Sequence, residues 1–84
     1  MRIDGPLADA VSRHATAVQA ARHLGDRPGQ ANALTDLGIV RRVTGDYPGA
    51  ARALQDALRL YRTLGDRGGE AETLNERDAA PGPR

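Results

Sequence analysis

The sequence predicts an all-α fold of about four helices, for three reasons. A block of thirteen residues recurs forty residues later, apolar residues follow helical spacing inside each unit, and Gly-Asp pairs separate the helices at regular intervals. Fixed periods of this length are typical of arrays built from one helix pair per unit. We therefore expect antiparallel helix hairpins stacked into an α-solenoid.

The recurring block covers residues 22–34 and 62–74. Eight of the thirteen aligned positions are identical without a gap, whereas unrelated segments of this composition would share roughly one. The same offset pairs Ala10 with Ala50 and Ala17 with Ala57. The period therefore extends over most of the chain.

Helices are predicted over residues 6–24, 27–44, 47–64 and 67–78. Apolar residues at steps of three and four mark one face of the third helix, which comprises Ala50, Leu54, Ala57, Leu58, Tyr61 and Leu64. A broader stripe on the second helix comprises Ala33, Leu34, Leu37, Val40 and Val43. The broader stripe indicates a helix that is covered on two sides.

Gly-Asp pairs mark the helix boundaries. In the pairs that end in Asp26, Asp46 and Asp66, a glycine that tolerates positive φ precedes a carboxylate that can cap a helix. We expect a leader at 1–5, a helical repeat region at 6–78 with one complete repeat at 27–64, and a disordered tail at 79–84.

Composition excludes several classes of protein. The chain has no cysteine, so it has no disulfide and no cysteine-based zinc site, and we expect a cytoplasmic protein. No apolar run is long enough to cross a membrane. All twelve basic residues are arginine, but eleven carboxylates leave a formal charge of +1, so nucleic acid is not the expected partner.

The residues assemble no catalytic pattern. His14 falls forty residues before Leu54 and is expected to pack on the inner side of the first helix. The aspartates at the boundaries are explained by capping, and the Gly-rich stretch at 65–69 lacks the context of a phosphate loop. We therefore predict no enzyme activity, no catalytic or metal-binding residue and no cofactor.

Small residues at fixed offsets carry a resemblance to a known family. The residues Leu37, Gly38, Gly45, Asp46, Tyr47, Ala50, Leu54 and Ala57 have the spacing of the tetratricopeptide repeat, which this chain resembles up to about Leu74. The forty-residue period resembles the longer-helix variant found in cargo and polarity adaptors and in bacterial regulators. Leu34 and Arg41 depart from the family pattern, and Arg77-Asp78 replaces Leu37-Gly38 in the following unit, so the last helix is expected to fray.

The resemblance implies a scaffold that binds a protein or peptide partner along its first helices. The corresponding positions in this chain are Asn32, Thr35, Ile39, Arg42, Glu72 and Asn75. The alternative is that these residues are ordinary solvated helix positions.

Three wider interpretations remain open. The chain can be a fragment of a longer array, such as the C-terminal region of a bacterial transcriptional regulator. It can instead bind nucleic acid through Arg41, Arg42, Arg52, Arg59 and Arg62, or be a truncated remnant without independent function. Because the first helix lacks a preceding partner, one side of it is expected to stay open at Leu7, Val11, His14 and Val18. Such an exposed apolar stripe would favour self-association.

Overall fold

A computed structural model describes residues 5–79, and the predicted leader and tail lie almost entirely outside this range. It contains four helices: α1 (Pro6–Leu24), α2 (Arg27–Val43), α3 (Tyr47–Leu64) and α4 (Arg67–Ala79). No strand occurs within residues 5–79. The all-α prediction is confirmed, and the predicted helix bounds differ from those of the structure by at most one residue. The Arg77-Asp78 pair does not end α4, which continues to Ala79.

The Gly-Asp junctions join each helix to the next through a single aspartate. The backbone N–H of Asp26 donates to the Ala21 carbonyl of α1 over 2.8 Å, and its side chain accepts from the Gly29 N–H of α2 over 3.0 Å. Gly25 has a φ of 72°, which an L-side chain rarely adopts. Asp46 and Asp66 make the same two contacts at the next two junctions.

The helix α2 lies at the centre of the array, where it contacts α1, α3 and α4. The buried core joins Val18 of α1 to residues of α2 and α3, among which Ala31 and Ala57 are fully buried. Most of the predicted apolar residues are buried, but Val43 is 62% exposed and Leu64 is 37% exposed. Both lie in the last position of their helix, so the expectation that they join the core is wrong.

The helices α2 and α3 approach each other closely at Gly38. A Cβ atom built on Gly38 would lie 2.7 Å from Leu54 Cγ and 3.3 Å from the Ala50 carbonyl oxygen. Leu54 is 1% exposed and has little room to move. The absence of a side chain at Gly38 therefore sets the separation of the two helices.

The first helix is less exposed than the sequence suggests. Val18 is 4% exposed, and Val11 is half-buried against the core. His14 is half-buried, whereas Leu7 is 45% exposed. The interpretation that all four residues have one open side is therefore wrong for Val18, because α1 turns it toward α2 and α3.

Replacing Gly38 with Ala should lower the free energy of unfolding by ~1–3 kcal/mol, because the new methyl group overpacks the contact with Leu54. Gly68→Ala is the matched control, since its Cβ would meet only Asp66 Oδ1 at 3.6 Å. The control should be neutral or slightly stabilising. Urea unfolding of both variants measures the difference, and equal stabilities would show that α2 and α3 are not in tight contact here.

Asp46→Ala should reduce stability by ~0.5–2 kcal/mol, because the Gly49 N–H at the start of α3 loses its acceptor. Asp46→Asn keeps a side-chain oxygen and should stay close to the parent protein. Thermal melts followed by circular dichroism compare the variants. If alanine and asparagine had the same effect, capping would not be the role of this side chain.

Candidate functional site

The open side of α2 carries a stripe of four residues that remain wholly or partly exposed. Asn32, Asp36 and Val43 are exposed and Ile39 is half-exposed. Their spacing of four, three and four places them one above another on the helix. We call these residues the α2 stripe. Asn32 and Ile39 were predicted as partner-binding positions from the sequence, whereas Asp36 and Val43 were not.

The side of α2 next to this stripe packs against α4 through two threonines. Thr35 is 5% exposed and Thr73 is 0% exposed, and their hydroxyl oxygens lie 3.2 Å apart. Thr35 also donates to the Ala31 carbonyl over 3.0 Å, and Thr73 donates to the Gly69 carbonyl over 2.8 Å. Thr35 was predicted to line the binding surface, but it lies inside the contact between α2 and α4. A partner cannot reach it there.

Arg42 ties the far end of α2 to α4. Its Nη2 atom lies 3.0 Å from Glu76 Oε1, and its Nη1 atom donates to the Glu76 carbonyl oxygen over 3.4 Å. The side chain of Arg42 is 21% exposed and that of Glu76 is 30% exposed. Arg42 therefore has a structural role in addition to the partner-binding role predicted for it.

Asn32 is held at the other end of α2 by Tyr61 of α3. The Tyr61 hydroxyl donates to Asn32 Oδ1 over 2.6 Å, and Tyr61 itself is 4% exposed. A Cβ at Gly69 would collide with the Tyr61 ring, so the glycine lets the ring lie against α4. The orientation of the Asn32 amide therefore depends on contacts among α2, α3 and α4.

The exposed part of α4 extends the surface. Glu72 and Asn75, both predicted from the sequence, are exposed. Glu72 lies forty residues after Asn32, so the repeat places it at the same point of the next unit. The surface therefore carries the three carboxylates of Asp36, Glu72 and Glu76. Only one guanidinium group, that of Arg42, balances their charge. The surface is therefore acidic with two apolar residues, Ile39 and Val43.

The signal that could have identified Asp36 and Val43 was present in the sequence. Starting from Asn32, the positions four, seven and eleven residues later share one side of a helix. The predicted positions instead include Thr35 and Arg42, which lie one position away from Asp36 and Val43 and contact α4.

Other kinds of site do not assemble in the described residues. Within residues 5–79, no three His, Cys, Asp or Glu side chains are grouped so that they could hold a metal ion. None of the helices described is long and apolar enough to cross a membrane. Two of the arginines proposed for nucleic-acid binding are already paired with carboxylates. Arg42 pairs with Glu76 on α4, and Arg62 pairs with Glu70 over 2.7 Å.

Tyr61→Phe should lower the free energy of unfolding by ~0.5–1.5 kcal/mol, because it removes the hydrogen bond to Asn32 and keeps the ring. Tyr47→Phe removes the same atom from a side chain that is 46% exposed, and it should leave stability unchanged. Urea unfolding under identical conditions compares the two variants. Equal midpoints would contradict a stabilising role for the hydroxyl.

Comparison with known families agrees with this geometry. A model described as tetratricopeptide repeat matches residues 1–63, which include α1, α2 and nearly all of α3. Comparison with curated proteins and with solved structures gives no match. Members of the matched family are generally scaffolds for protein–protein interaction rather than catalysts. The matched residues are three quarters of the chain, and the chain belongs to the tetratricopeptide repeat family.

Proposed function

We propose that this protein binds a segment of a partner protein along the α2 stripe and the exposed residues of α4. The observation that carries the proposal is that α2, packed by three helices, leaves one continuous accessible side. Two of the four residues on that side are apolar, and of these Val43 is 62% exposed and Ile39 is half-exposed. The surface comprises Asn32, Asp36, Ile39, Arg42, Val43, Glu72 and Asn75.

The chemistry of the partner follows from the charges on this surface. Asp36 and Glu72 are exposed carboxylates, while the charge of Arg42 is already paired with Glu76. A segment with basic residues beside apolar ones would gain electrostatic attraction and bury Ile39 and Val43. An acidic segment would be repelled. Binding of this kind needs no cofactor, and we place the protein in the cytoplasm.

We further propose that the chain works within a longer array, such as a repeat region of a bacterial regulator. The packing of α1 supports this. Ala17 is exposed, whereas its counterpart Ala57 is fully buried against α2. Ala10 is half-buried, whereas its counterpart Ala50 is 1% exposed. The small residues of α1 therefore suit a preceding helix that would pack as α2 packs on α3.

The neighbouring coding sequence tests the array proposal. A frame that continues upstream with further forty-residue units would support it. Neighbouring sequence without any such unit would contradict it and favour the remnant interpretation.

The variant Asp36→Arg/Asn75→Arg should weaken binding of a partner captured from a lysate of the source organism by about tenfold, because it reverses the charge of the surface. Both positions are exposed, so the fold should be retained. The matched control is Ser12→Arg/Gln19→Arg, which adds the same side chains to exposed positions of α1. Titration of the purified partner measures both affinities. Equal loss in the control, or no loss in either variant, would contradict the proposed surface.

A further inference from the structure

A second surface with the opposite charge lies between α3 and α4. It is a cleft of about 260 Å³ lined by Gln55, Leu58, Arg59, Arg62, Thr63 and Arg77. Three of these six residues carry a guanidinium group and none carries a carboxylate. Leu58 is 2% exposed and supplies an apolar contact within the cleft.

The forty-residue repeat shows what kind of element fits this cleft. One unit earlier, the positions of Gln55, Leu58 and Arg77 are occupied by Ala15, Val18 and Leu37. Those three residues pack in one cluster with Ala53, Ala57 and Leu60 of α3. The cleft between α3 and α4 is therefore the counterpart of a site that is filled by a helix.

The chemistry of the two sites differs even though their geometry is related. The exchange of Ala15 for Gln55 and of Leu37 for Arg77 replaces two apolar contacts with polar ones. An apolar helix face like that of α3 would leave the Arg77 guanidinium buried without an acceptor, which is costly. A helix that presents carboxylates would instead form charge-assisted hydrogen bonds there.

Two of the three guanidinium groups are only loosely paired within the described residues. Arg62 is held by Glu70 over 2.7 Å, but Arg59 lies 3.9 Å from Asp56 and Arg77 lies 3.6 Å from Asp78. The side chains of Arg59 and Arg77 are 75% and 47% exposed. Exposed pairs at such distances contribute little to stability, so both groups are free to bind other carboxylates.

We propose that this cleft binds a helical segment of a partner protein that carries carboxylates on its contacting side. A second copy of the chain fits less well, because its α1 has Arg13 at the position that corresponds to Ala53 and would face Arg77. Nucleic acid also fits less well. The carboxylates of Asp56, Glu70 and Asp78 flank the arginines and would repel a phosphate backbone that continues beyond the cleft.

Two synthetic helical peptides test the proposal. Both have the sequence of α3 (Tyr47–Leu64) and a hydrocarbon staple at Ala51 and Gln55, on the side away from the contact. One carries Ala53→Glu and Ala57→Glu, and the other carries glutamine at the same two positions. Fluorescence anisotropy at low ionic strength should show that the acidic peptide binds the protein about tenfold more tightly than the neutral one.

The Arg59→Gln/Arg77→Gln variant of the protein should lose this difference between the peptides. Arg13→Gln/Arg27→Gln removes the same charge from exposed positions outside the cleft, and it should keep the difference. Equal binding of the two peptides, or equal loss in both variants, would overturn the proposal. So would the absence of binding up to about 1 mM peptide.

Two further outcomes would assign the cleft to a different occupant and would equally overturn the proposal. An arbitrary DNA duplex that displaces the acidic peptide, with affinity that depends on Arg59 and Arg77, would indicate nucleic acid. Dimers of the protein alone that disappear in Arg59→Gln/Arg77→Gln, measured by sedimentation, would indicate a second copy.

Discussion

The arrangement of the four helices depends on the aspartate that each junction places between two of them. At every junction its N–H closes the end of one helix and its carboxylate caps the start of the next. The glycine before it supplies the positive φ that the chain needs to reverse. Because both helices are hydrogen-bonded to one residue, the junction restricts the direction in which the second helix can leave it. Repeating this junction brings α2 between α1, α3 and α4.

The central position of α2 restricts which residues it can contain. A helix covered on three sides must approach its neighbours closely, so it has small residues at Ala31 and Gly38 and a buried hydroxyl at Thr35. Only one side of the helix remains exposed to solvent. The same packing that stabilises the array thus concentrates the exposed residues of α2 into a narrow stripe, which is the kind of continuous surface that a linear segment can follow.

The sequence predicted the fold more completely than it predicted the surface. Helix bounds follow from local signals, such as Asp46 and the glycine before it, and those signals act within a few residues. The side on which α2 is covered depends on where α4 lies, and no local signal reports that. Thr35 and Asp36 are adjacent in sequence, yet one is buried against Thr73 and the other is exposed. The exchange of Leu37 for Arg77 is visible in the sequence, but it indicates only a departure from the repeat pattern, because the sequence does not show which residues lie across the cleft.

The two threonines between α2 and α4 have a mechanical consequence. Their two hydroxyl protons serve three oxygen contacts, with the Ala31 carbonyl, with the Gly69 carbonyl and with each other. Rotating one hydroxyl exchanges a carbonyl acceptor for the other threonine, so each proton keeps an acceptor in more than one geometry. A small shift of α4 along α2 at this point therefore leaves both threonine hydroxyls hydrogen-bonded. The threonine pair thus tolerates small displacements between the two helices, whereas the ion pair of Arg42 with Glu76 fixes their register at the far end of α2.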